Sequence, residues 1–222
     1  MAVYRTTSTA LAVMLLSATM AIVAAQAARA ADTKGNGEPN KTTDLVVEAC
    51  KNMSNGLLRT KVPHFDEEPC VSALRSDKRS AVAKDHGDLT MVAFDLLDHR
   101  VNNMRTKIGS MLHNFPVHSW PGRAVHICAA GYVSMTRTLP VCRDIFLDLK
   151  PLGKKAKDID SLEPLLCLHR LAVAATDCNK VLLNWQYPKS TDEFSEVIKY
   201  IGLTWGLMEL ATDCKDDSDS QW

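Results

Sequence analysis

Four cysteines on two helical stripes constrain this chain more than any other feature. The apolar residues Val125, Cys128, Tyr132, Met135, Leu139, Cys142 and Phe146 recur at alternating intervals of three and four. Further on, Cys167, Leu171, Ala174, Cys178, Val181 and Trp185 do the same. That alternation is the seam of a helix packed lengthwise on other helices. The polar connector Pro151-Leu-Gly-Lys-Lys-Ala-Lys-Asp-Ile-Asp160 is short, which makes the two helices antiparallel neighbours. Cys128 and Cys142 share a face, and so do Cys167 and Cys178. The first pair spans ~21 Å of helix and the second ~16.5 Å. The ~4.5 Å mismatch is comparable with the Cα separation that a disulfide bridges. A Cys128–Cys178 bridge is therefore expected, and the geometry also admits a second rung, Cys142–Cys167. The alternative for each of the four is a buried thiol acting as a small hydrophobe.

The compartment bears on that choice. Arg5 precedes the apolar run Ala10–Ala25, and Ala28-Arg29-Ala30 offers a small-x-small cleavage site, so residues 1–30 read as a secretory signal peptide. The run is short for a bilayer span, and no membrane association is expected after cleavage. In an oxidising compartment the seven cysteines imply bridges plus one left over, Cys214. The sequons at Asn40 and Asn52 suit a secreted chain. The 26 basic residues balance 26 acidic ones, which gives no electrostatic case for nucleic acid. No cysteine–histidine spacing resembles a zinc site, so neither metal nor cofactor is expected.

After a flexible polar leader, 31–42, two short helical pieces carry Cys50 and Cys70, suggesting a disulfide-closed α-hairpin over residues 43–85. Closing that loop stabilises by roughly 3 kcal/mol. Four amphipathic helices follow across 86–213. The first starts at Asp88, with the stripe Phe94, Leu97, Val101, Met104, Ile108 and Met111. The segment Asn114–Gly122 ends it, because two prolines and a glycine do not extend a helix. The second runs from Val125 to Leu149 and should kink at Pro140. The third starts near Ser161 as N-cap, with Pro164 in its first turn, and ends by Pro188. Ser190-Thr-Asp-Glu193 is a capping box for the fourth, whose stripe is Phe194, Ile198, Ile201, Trp205, Met208 and Thr212. The acidic tail, 214–222, has nothing to bury and is expected to be disordered. The fold class is all-α: an up-down-up-down four-helix bundle with an N-terminal disulfide-closed α-hairpin.

Several segments together resemble a known family, the plant invertase and pectin methylesterase inhibitors. They are Glu48-Ala-Cys50-Lys-Asn52, Cys70-Val-Ser-Ala-Leu-Arg-Ser-Asp-Lys-Arg-Ser-Ala81, Leu89, Cys128-Ala-Ala-Gly-Tyr132 and Ala174-Ala-Thr-Asp-Cys178. The resemblance covers roughly Thr43 to Thr212. It implies a secreted bundle whose first two cysteines close the hairpin, and whose next pair links the second and third bundle helices. It also implies a 1:1 complex with a target enzyme, in the apoplast or the vacuole. The Cys50–Cys70 interval is about twice the family's usual one. Lys155-Ala-Lys-Asp-Ile-Asp160 lacks the Pro-Lys-Phe segment of some invertase inhibitors, while Ser76-Asp-Lys-Arg-Ser80 is similar to the invertase branch, so the target stays open between the two enzymes.

Catalysis finds no support in the residues. There is no G-x-S-x-G elbow, no H-E-x-x-H motif and no phosphate-binding glycine loop. Asp95 and Asp98 share a polar stripe with His99 and Arg100 and read as a solvated face. Function is then expected from a surface. If the family docks through the side of its bundle, the interface candidates are Arg137, Thr138, Asp144, His169, Arg170, Asp177 and Lys180, each of which is otherwise an ordinary hydrated position. The alternative is a carrier holding a small apolar ligand against Met104, Met111, Met135 and Met208.

Overall fold

Apolar residues at three-four spacing put every core position of this chain on a helix, and the described residues contain no strand. The computed structural model describes residues 44–55, 66–151, 158–184 and 191–212, all within one compact unit. Its helices are α1 (Leu45–Ser54), α2 (Glu67–Arg75), α3 (His86–Leu112), α4 (Trp120–Leu149), α5 (Asp158–Leu183) and α6 (Thr191–Thr212), with a 3₁₀ turn at Lys78–Val82. The expected signal peptide (1–30) and leader (31–42), residues 56–65 between α1 and α2, Asn40, Trp185, Ser190, Cys214 and the acidic tail lie outside the described residues.

Helices α3 to α6 pack as the expected up-down-up-down bundle, in which α4 lies beside α5 and α3 beside α6. Its centre is filled by Phe94, Leu97, Tyr132, Met135, Phe146, Leu168, Leu171, Phe194 and Ile201, all fully buried. The Phe94 and Phe146 rings tilt together at 6.0 Å, and Tyr132 meets Phe194 edge-on at the same distance. Met104, Met135 and Met208 belong to the same packed core. Cys50 and Cys70 are joined with their Cα atoms 5.7 Å apart, closing the α1–α2 hairpin. That hairpin rests on α3 and α6. Helix α6 is consequently buried on more faces than its stripe alone predicts: Val197, Tyr200, Leu203, Thr204 and Leu207 are also inside. The Thr204 and Thr212 hydroxyls donate to the carbonyls of Tyr200 and Met208 at 2.8 Å, the usual way a helix hides a hydroxyl.

Several element boundaries differ from the sequence reading, each for a local reason. Helix α3 begins at His86 rather than Asp88, because Asp85 caps it by accepting from the Asp88 N–H at 2.7 Å. The Asp88 carboxylate in turn accepts from the Lys84 N–H at 2.9 Å. Helix α4 starts five residues before Val125, at Trp120. Ser119 caps it by accepting from the Gly122 N–H at 3.1 Å, and Pro121 falls in the first turn, where no N–H partner is lost. Gly122 is required there, since a Cβ would sit 2.0 Å from the Pro116 carbonyl oxygen. The helix continues through Pro140, which faces solvent.

Helix α5 begins at Asp158 and ends at Leu183, so Ser161 and Pro164 lie inside it rather than at its cap and first turn. Its buried stripe also shifts by one position. Ala175 and Leu182 are buried, where Ala174 and Val181 were expected and are only half-buried. Both sets obey three-four spacing, so the pattern alone did not discriminate between them.

Candidate functional site

The helix pair α4–α5 is the best-defined feature of the surface. Two disulfides tie it, Cys128–Cys178 with Cα atoms 4.8 Å apart and Cys142–Cys167 at 5.5 Å. Both rungs proposed from helical geometry are therefore present, and the reduced-thiol alternative is overturned for all four. Between the rungs Gly131 faces the backbone of Ala174: a Cβ built on Gly131 would lie 3.7 Å from the Ala174 carbonyl oxygen. That is ordinary van der Waals distance, so the two helices are in direct contact between the rungs.

The ladder also fixes which side chains face outward together. One residue turns a helix by ~100°. In antiparallel helices the residues preceding two facing positions therefore turn to the same side of the pair. The residues preceding the four bridged cysteines are Ile127, Val141, Leu166 and Asp177, and all four are exposed. Val173 joins them on the same side by the same rotation. Ile127, Val141, Val173 and Leu166 are 54%, 52%, 45% and 41% exposed, a concentration of large apolar side chains on one face. The polar complement of that face is Ser134, Thr138, Arg170 and Asp177. Sequence reading missed the apolar members because none belongs to a buried stripe. For Ile127, Val141 and Leu166, the position one residue before a cysteine is the available signal.

The seven expected interface residues do not form a single patch. Thr138, Arg170 and Asp177 lie on the laddered face. Arg137, Asp144 and Lys180 are exposed but turn nearly opposite the neighbouring helix. His169 is exposed on the α6 side of α5, its ring edge-on to Trp205 with centroids 6.4 Å apart. The Trp205 indole N–H donates to Glu209 at 2.6 Å. Asn52 lies half-buried on α1.

Asp95 corrects the expectation of a solvated acidic stripe. Its carboxylate accepts from Arg79 at 2.5 Å on one oxygen and from Arg143 at 2.5 Å on the other, joining the 3₁₀ turn, α3 and α4. Asp77 also binds Arg79, and this hydrogen bond holds its carboxyl below the usual carboxylate range. A hydrogen bond from Lys150 does the same for Asp88, at the opposite ends of α3 and α4. These charges clamp elements together, away from the laddered face. Among the described residues no three His, Cys, Asp or Glu side chains gather as a metal site, and none of the described helices is long and apolar enough to cross a membrane. Compared with protein-family models and with curated proteins, the chain matches none.

Proposed function

We propose that this chain is a secreted, non-catalytic inhibitor that occludes the substrate cleft of pectin methylesterase or invertase in a 1:1 complex. The observation that carries this reading is the α4–α5 face. It is covalently held and exposed, and it carries Ile127, Val141, Leu166 and Val173 interspersed with Ser134, Thr138, Arg170 and Asp177. A preformed surface of that kind docks with little ordering entropy to overcome, and large exposed apolar side chains gathered on one face mark an interaction site. The resemblance over Thr43 to Thr212 supports the same reading, and the three disulfides suit an oxidising compartment outside the cytosol.

The test is titration of the purified mature protein into pectin methylesterase and acid invertase assays. The expected result is activity loss in one of them that saturates near equimolar addition. Undiminished activity in both at a large excess of the protein refutes the reading.

A further inference from the structure

The laddered face carries a pattern that the inhibitor reading does not require. On α4, Ile127, Ser134 and Val141 are spaced by sevens. On α5, Leu166 and Val173 are also seven apart, as are Arg170 and Asp177. Sevenfold spacing on the outside of a helix already packed on its inner side is a second seam, shaped to meet other helices lengthwise. Ser134 and Val173 mark its middle: they lie at one level, close to halfway between the two rungs.

A two-fold axis in the plane of the face, crossing both helices at that level, brings the pattern onto itself. It sets Ile127 of one copy against Val141 of the other, and Val141 against Ile127. Val173 meets its own equivalent across the axis. Arg170 of one copy comes opposite Asp177 of the other, twice. An isologous contact requires a self-complementary patch, and this axis supplies one.

We propose that a second copy of this chain occupies the α4–α5 face, forming an antiparallel, reversible homodimer centred on Ser134 and Val173. The apolar seam from Ile127 to Val141 is ~21 Å long, and two helices side by side are ~20 Å wide. The central footprint is thus ~400 Å² per copy, below the ~800 Å² per partner of a standard stable interface. The dimer is accordingly weak and separates on dilution. This proposal rests on the inhibitor reading in one respect: the dimer covers the face that would block the target, so self-association regulates inhibition, and dilution releases the active monomer.

The experiment is sedimentation equilibrium of the mature, oxidised protein across a thousandfold concentration range. It uses the wild type, V141D, R170E, D177R and the double variant R170E/D177R, each with its helicity and disulfides verified. The wild type is expected to shift from monomer to dimer with concentration. V141D, R170E and D177R each raise the dissociation constant at least tenfold, whereas R170E/D177R, which restores opposite charges with reversed polarity, returns to within threefold of wild type. A wild type that stays monomeric throughout overturns the proposal. So does a dimer indifferent to V141D, or a double variant no better than R170E alone. Inhibition measured at concentrations where sedimentation shows monomer keeps the two readings apart: a wild type that dimerises when concentrated but as a monomer inhibits neither enzyme sinks the inhibitor reading alone, and an inhibitor that never dimerises sinks the dimer alone.

Discussion

Removing the inner rung of the ladder measures how far the cross-links, rather than the packing, hold α4 and α5. The perturbation is C142A/C167A. Cys142 and Cys167 are separated by 25 positions, nested within the 50 positions between Cys128 and Cys178. With both bridges closed, the outer one constrains a second loop of roughly 25 residues, made of the chain segments on either side of the inner bond. Loop-closure entropy then gives about 7 kcal/mol for the two rungs together, and about 4 kcal/mol for the outer rung alone. Loss of the inner rung should therefore destabilise by about 3 kcal/mol. Both sulfurs are buried, so lost packing adds to that figure rather than reducing it. Guanidinium unfolding of the oxidised proteins, followed by circular dichroism, supplies the comparison, with two-state behaviour checked by a second probe. C128A/C178A should cost a similar amount despite spanning twice the sequence. A loss under 1 kcal/mol for C142A/C167A, with the outer bridge intact, would refute the reasoning, because the inner bond would then be adding no constraint to the unfolded chain.

Three further outcomes follow from particular contacts. The Tyr132 hydroxyl is buried without a hydrogen-bond partner among the described residues, and burial pushes its pKa up; Y132F should leave thermal stability unchanged or raise it by about 1 kcal/mol, read by calorimetry. G122A drives a Cβ into the Pro116 carbonyl at 2.0 Å and should destabilise by about 1–3 kcal/mol, with the amides of 114–123 exchanging fastest in hydrogen exchange. Asp77 and Asp88 have folded pKa values held below their unfolded ones, so their contribution is complete above about pH 4 and is lost as pH falls through the depressed folded values. Denaturation midpoints should be flat from neutral to mildly acidic pH and drop below about pH 4, and D88N should flatten that acid limb.

The bundle was legible because its determinants are local and periodic. The α3 stripe from Phe94 to Ile108 and the α4 stripe from Val125 to Phe146 are buried as the spacing requires, and the cysteines on α4 and α5 pair because helical rise fixes their levels. What the sequence concealed depends on neighbours. The choice of Ala175 over Ala174 turns on the rotation of α5 against α4 and α6, which three-four spacing leaves undetermined. The start of α4 at Trp120 depends on Ser119 reaching the Gly122 N–H, which outweighs the helix-breaking reading of Pro121. The role of Asp95 as a clamp depends on Arg79 and Arg143, 16 and 48 positions away. On the candidate face, Arg170, Asp177 and Thr138 are among the residues expected on the docking side of the bundle, whereas Ile127, Val141, Leu166 and Val173 are not, because their sevenfold spacing on an outer stripe is interrupted by Ser134 and Arg170 and is weaker than the buried seam beside it.

Sulfur, not outward-pointing side chains, joins α4 to α5, and this separates two duties that most helix pairs must combine. Positions on the outer side of the ladder are released from holding the scaffold together. Replacing them should therefore change the character of the exposed face while leaving the melting behaviour almost untouched, so one frame can carry many different surfaces.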